Sequence, residues 1–177
     1  VHGQEKVENA YFSIKVPDTW TYQEISNTAM ADLLGRGPGN SIFLTPGEFG
    51  NLLVEPKEGE RSVIEKIQQD GGVLSGFLQD TTYTIKNSPL DAYLKYRIGQ
   101  EGGNWNVTSM DNGTIAKEKA VKISLNGTNE SGNLRKVYYL LLHDKDPYAL
   151  SYMANSKDFD KYLPEFEQMV RSFKFVN

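Results

Sequence analysis

The chain has 177 residues, 38% of them hydrophobic and 24% charged, which suits one folded domain with its own core and excludes a disordered chain. A net charge of −4 with scattered lysines and arginines excludes the clustered positive surface that nucleic acid requires, and no apolar run nears the roughly 18 residues of a membrane span. Cysteine is absent, so disulfides, thiolate metal sites and cysteine nucleophiles are excluded together.

Residues 1–10 are expected as a flexible N-terminal segment, with a single domain over 11–177. Tyr11 to Val16 alternates, with Phe12, Ile14 and Val16 on one side, as a half-buried strand does. Pro17-Asp18 stops it, and Trp20 to Ile25 returns as the second strand of an expected hairpin. The middle of the chain, about 27–86, reads as an elaboration. Ala29 to Leu34 fits a short helix closed by Gly35. The following Arg36-Gly37-Pro38-Gly39-Asn40 lacks the Gly-Lys-Ser/Thr ending of a phosphate loop. Ser41 to Leu44 fits a strand, and Thr45-Pro46-Gly47-Glu48 fits either a capping box leading into Phe49, Leu52 and Leu53 or a hairpin. Ser62-Val63-Ile64-Glu65 opens a helix that Val73 to Gln79 extends or restarts, and Thr82 to Lys86 fits a strand.

Leu90 to Ile98 alternates like a strand and also fits a helical face. Its flanks decide for a helix: Ser88 as N-cap, Pro89 at the first helical position, Asp91 in the first turn and Gly102-Gly103 beyond the end. A meander follows from Trp105, with a hairpin turn at Asp111-Asn112-Gly113, a strand through Val121, Ile123 and Leu125, and a polar turn over 126–133. Leu134 to His143 is a long strand with Tyr138, Leu140 and Leu142 opposite Tyr139 and Leu141. Both faces are apolar, so it belongs in the middle of a sheet covered on both sides. Asp144-Lys145-Asp146-Pro147 turns the chain into Tyr148 to Ala154. Phe159, Tyr162, Leu163, Phe166, Met169, Val170 and Phe173 then have helical spacing, Pro164 starts a second helix, and Ser172 to Val176 ends in a strand.

Asn-x-Ser/Thr sequons, the acceptor pattern for glycosylation, stand at Asn106, Asn112, Asn126 and Asn129. Thirteen Asn and 22 Ser plus Thr would place only about one or two in the chain by composition. With a first residue, Val1, of the kind a processed product shows, they point to an exported, secreted or cell-surface protein. Candidate chemistry is sparse. His2 lies in the N-terminal segment. His143, Asp144 and Asp146 offer one imidazole and two carboxylates at a hairpin tip, a candidate divalent-cation site with about three of the six to eight ligands calcium takes. No nucleophile-elbow pattern accompanies either His, and no catalytic set emerges.

The stretch YFSIKVPDTW, a strand followed by Pro, an acid, one residue and Trp, resembles the start of the PsbP family's domain. Ala120-Val121-Lys122-Ile123, Tyr148-Ala149-Leu150-Ser151-Tyr152, Tyr162-Leu163-Pro164 and the closing FEQMVRSFKF, residues 166–175, are similar to that family's second half. The resemblance covers residues 11–25 and 88–176. It implies an α/β (α+β) fold, an α/β/α sandwich around a twisted, mostly antiparallel sheet. It also implies an extracytoplasmic protein, of a family known chiefly for binding and stabilising partners rather than for catalysis, here a protein partner or membrane-associated complex. No cofactor is expected apart from the candidate divalent cation at the His143 turn. The basic N-terminal extension of the plant subunit has no counterpart before Tyr11. The competing expectation is a small secreted hydrolase or ligand-binding enzyme with its site in the elaborated middle.

Overall fold

A computed structural model describes residues 3–25, 51–57, 73–80, 83, 88–101, 103–129 and 132–176. In chain order these form β1 (Gln4–Glu8), β2 (Phe12–Pro17), β3 (Trp20–Ile25), β4 (Asn51–Pro56), β5 (Leu74–Gln79), α1 (Leu90–Gly99), β6 (Trp105–Ile115), β7 (Glu118–Asn129), β8 (Gly132–His143), β9 (Asp146–Asn155), α2 (Ser156–Ser172) and β10 (Lys174–Phe175). Every strand pairing is antiparallel. Seven strands make one sheet in the order β3-β4-β5-β9-β8-β7-β6, and β1-β2-β10 make a second, smaller one.

The two apolar faces of β8 do what their alternation requires. Val137 and Leu141 join a core shared with Phe159, Phe166, Met169 and Val170 of α2, while Tyr138 and Leu140 join another with Tyr93 of α1. The helices therefore lie on opposite faces of the large sheet, and the mixed α+β sandwich is as expected. Phe166 is fully buried, with ring centroids 5.2 Å from Tyr152, 5.9 Å from Phe77 and 6.2 Å from Tyr139.

Several local expectations are corrected. Gln4–Glu8 is a strand, paired along its length with β2 from Gln4↔Pro17 to Glu8↔Ser13, where a loose segment was expected. β2 and β3 do not form a hairpin: β2 pairs with β1 and β10, β3 with β4. The turn between them is tied to both sheets, as the Asp18 N–H donates to the Gly3 carbonyl and the Lys57 N–H to the Thr19 carbonyl, each at 2.9 Å. Val73 to Gln79 is no helix, because Leu74–Gln79 pairs residue by residue with β9. Residues 51–56 are a strand, which overturns the capping-box helix and agrees with the second arm of the alternative hairpin. At α1 the cap is Pro89, with extended backbone, and no side chain bonds to the free N–H groups. Pro164 starts no second helix; α2 runs through it from Ser156 to Ser172. Pro164 itself is exposed, while Phe159 before it and Phe166 beyond it bury into one core, and that continuous burial outweighs the missing N–H.

The β6–β7 turn is also displaced. Asn112 and Gly113 lie within β6, and the reversal occurs at Ala116 and Lys117, whose φ values of 50° and 68° make the paired left-handed turn of a tight hairpin. A turn at Asn112-Gly113 would end the ribbon before Ile123 and Leu125, both buried, found partners on β6. The Ala29–Leu34, Arg36–Asn40, Ser41–Leu44, Thr45–Glu48 and Ser62–Glu65 expectations lie outside the described residues, as does Thr82 to Lys86 apart from Tyr83.

Removing the Phe166 ring leaves a cavity among three aromatic neighbours, Phe77, Tyr139 and Tyr152. Phe166→Ala is expected to lower unfolding free energy by about 3–5 kcal/mol in urea titrations, with the slope unchanged. The phenols of Tyr93, Tyr138, Tyr139, Tyr148 and Tyr152 are all held above their ordinary value of 10.0, burial being the first cause in each. A folded value above the unfolded one contributes stability that is intact below pH 10 and is lost as pH rises toward the folded values. In alkaline titration the phenolate absorbance of these five is expected to appear together with loss of the near-ultraviolet dichroism. Their ionisation near pH 10 in a protein still folded would contradict this.

Candidate functional site

The two stretches that carry the sequence resemblance, residues 11–25 and the closing helix and strand, meet in space. Pro17 ends β2, the Asp18–Thr19 turn passes between the sheets, and Trp20 opens β3 with its ring buried against α2. Helical spacing brings Lys161, Tyr162, Glu165 and Gln168 of α2 to the same place. The Trp20 indole Nε1–H donates to Glu165 Oε2, and the Thr19 hydroxyl donates to the same oxygen at 3.0 Å. Trp20 stands edge-on to Tyr162 with centroids 6.0 Å apart, and the Lys161 ammonium lies 5.1 Å from the Tyr162 ring centre. Around this contact is an open groove of about 750 Å³, lined by Pro17, Trp20, Pro56 and Tyr162 together with Asp18 and Lys57. Its aromatic and proline walls suit an apolar side chain, and its charged residues suit a polar backbone alongside. Glu165 accepts two hydrogen bonds, so it fixes the groove's shape and is no free general base.

A second polar cluster lies beneath α1. Asp80 Oδ2 accepts the Tyr93 hydroxyl at 2.9 Å and Arg97 Nη1 at 3.2 Å, and the Arg97 guanidinium sits 5.4 Å over the Tyr138 ring. Glu101 accepts the Tyr138 hydroxyl at 2.7 Å and Lys136 Nζ at 3.1 Å. Burial pushes the Tyr93 phenol up and the Lys136 ammonium down, the latter opposed by Glu101. The Tyr83 ring packs 5.1 Å from Tyr93 and 5.0 Å from Tyr96. Both acids face a cation and a phenol, so the cluster clamps α1 onto the sheet; among the described residues it presents no nucleophile beside a base. Asp80→Asn leaves the partly buried Arg97 charge with a neutral partner, and is expected to cost about 1–3 kcal/mol in urea unfolding. An effect within experimental error would show that the pair contributes nothing.

His143 and Asp146 are register partners at the end of the β8–β9 hairpin, with Asp144 and Lys145 as its two turn residues at φ 49° and 71°. The His143 ring stacks on Phe175 with centroids 3.7 Å apart; Nδ1 lies 3.2 Å from Glu118 Oε1 and Nε2 3.5 Å from Asp144 Oδ2. Among the described residues no group of three or more His, Asp or Glu side chains is placed to hold a metal ion. His2 lies outside the described residues. All four sequon asparagines are on the β6–β7 ribbon: Asn106 and Asn112 on β6, Asn126 and Asn129 on β7. Asn106, Asn112 and Asn126 are exposed, and Asn106 pairs directly with Asn126. Glu165, Asp80 and Glu101 went unread in the sequence. The one signal for Glu165 was its place one residue after Tyr162-Leu163-Pro164.

No family model matches the chain, and no curated protein matches it by sequence. Solved structures do match by fold. One is the solution structure of the cyanobacterial PsbP protein CyanoP from Synechocystis sp. PCC 6803, with TM-score 0.56 and 7% identity over 99% of this chain and 94% of that one. Another is a protein of Bacteroides thetaiotaomicron, with TM-score 0.56 and 10% identity over 100% of this chain and 50% of that one. A third is LpqN of Mycobacterium tuberculosis, involved in cell envelope biogenesis, with TM-score 0.52 and 8% identity over 99% of this chain and 92% of that one. The likeness to PsbP is thus one of fold. No helix among the described residues is long and apolar enough to cross a membrane.

Proposed function

We propose that this chain is an extracytoplasmic, non-enzymatic binding or assembly factor that holds a segment of a partner protein, or of a membrane-associated complex, in the groove between Trp20 and α2. The groove carries the proposal: it is open, walled by aromatic and proline side chains, and held together by a contact between Trp20 and Glu165, about 145 residues apart in sequence. The neighbours of this fold are consistent with it, as they include a PsbP protein and a protein of cell envelope biogenesis. The engaged state of Glu165 also argues for recognition over proton transfer.

The test is cross-linking and co-purification from the native source, comparing wild type with Lys161→Glu/Gln168→Arg. Both positions are exposed on α2 and line the groove. Recovery of one stoichiometric partner is expected, and the variant should lose at least about tenfold in affinity, a change of 1.4 kcal/mol, with an unaltered melting temperature. Equal recovery by both would refute the groove. Substrate turnover by the isolated chain, abolished by one change within residues 27–86, would replace this reading with that of a hydrolase.

A further inference from the structure

Among the described residues, the seven-stranded sheet ends in a long exposed edge strand. β6 is its terminal strand, eleven residues long, and nine of them are exposed. Its outer backbone groups face no strand among the described residues. Edge strands of this length are ordinarily blunted by Lys, by Pro, by an inward charge or by a bulge, and β6 has only the last, a single bulge between Val107 and Ser109. β6 contains neither Lys nor Pro, and its one charged residue is Asp111. It also exposes two large apolar side chains, Val107 at 38% and Met110 at 54%. The bulge between Val107 and Ser109 puts both on one face, since Val107 pairs with Leu125 and Met110 with Ile123, two members of the core beneath α1. Antiparallel pairing of two copies about that bulge would set Val107 of each against Met110 of the other, continuing the sheet from one copy into the next.

The four sequons sit on this ribbon. Asn112 pairs with Val121, on the α1 face; Asn106 precedes Val107 in regular strand and so points to the other face, opposite Asn126. One acceptor on each face thus flanks the bare stretch. We infer that Asn106 and Asn112 carry Asn-linked oligosaccharides, and that these glycans do for the β6 edge what lysines and prolines do elsewhere: they keep it from pairing with a second copy. In the transfer, the asparagine amide nitrogen attacks the anomeric carbon of an oligosaccharide carried on a lipid phosphate. An N–C bond forms, the lipid phosphate departs with the bonding electrons, and the amide proton passes to a base of the transferase. The sequon hydroxyl of Thr108 donates to the Ser124 carbonyl at 3.1 Å in the folded ribbon, so transfer at Asn106 precedes the pairing of β6 with β7.

This inference rests on the extracytoplasmic reading above. The groove is built on β2, β3, β4 and α2, with β3 at the opposite edge of the sheet, so partner capture and edge protection fail independently. Peptide mass spectrometry of protein from the native source is expected to find oligosaccharide on Asn106 and Asn112; wholly unmodified peptides overturn the inference. Asn106→Gln/Asn112→Gln, made in the same source, is expected to sediment as dimers and larger species where the wild type is a monomer. Adding Met110→Lys should return it to monomer with unchanged far-ultraviolet dichroism. A double variant that stays monomeric over the same concentrations overturns the protective role even where the glycans are present.

Discussion

The structure depends on the closure of the chain's two ends onto each other. Phe12 of β2 pairs with Phe175 of β10, and Ser13 with Lys174, across more than 160 residues of sequence. The Ser172 hydroxyl donates to the Met169 carbonyl at the end of α2 and accepts the Lys15 N–H of β2, at 2.7 and 2.9 Å. Phe173 is buried between Phe12 at 5.0 Å and Phe77 of the large sheet at 6.4 Å. This one junction ends the helix, seats the small sheet and fixes where α2 lies on the large one. The Trp20–Glu165 contact and its groove follow, because α2 can present Tyr162 and Glu165 to β3 only once its far end is anchored.

The two faces of the large sheet are held by different means. On the α2 side the binding is mostly apolar and aromatic, with Phe166 at its centre and the Glu167 carboxylate bonded to Tyr139 at 2.5 Å and Lys122 at 3.1 Å. On the α1 side a ten-residue helix without a side-chain cap is held by Asp80, Arg97, Glu101 and Lys136 as well as by its tyrosines. A short helix of that kind has little stability of its own, so tertiary contacts, the partly buried ion pairs among them, set its position. The edges differ as well: one meets the groove, the other carries two of the sequons.

Much of the fold was legible in residues 88–176, where strands are long and alternation is strong. The double-faced pattern of Leu134 to His143 located a central strand, and the spacing from Phe159 to Phe173 located α2. Local signals misled where tertiary pairing opposed them. Asn112-Gly113 has turn chemistry, yet the register that buries Val121, Ile123 and Leu125 needs a longer ribbon, and Ala116 and Lys117 accept the left-handed turn. Pro164 is a helix breaker by chemistry, yet the apolar stripe on both sides of it stays in one helix. The candidate site was legible only in its parts: Trp20 and Tyr162 were both singled out, but nothing local to either says that they touch.

The order of amino acids determined the apolar alternation, the class of fold, the lack of cysteine chemistry and the crowding of four acceptor asparagines into one stretch. Those are properties of neighbours along the chain, where a period of two or of 3.6 decides which side chains share a face. Tertiary structure alone decided that β2 and β3 part into different sheets, that Glu165 receives Trp20, that Asp80 receives Arg97, and that two of the sequons fall on an edge strand. Each of these joins residues far apart in sequence, and such pairings are chosen by the burial and hydrogen bonding of the whole domain.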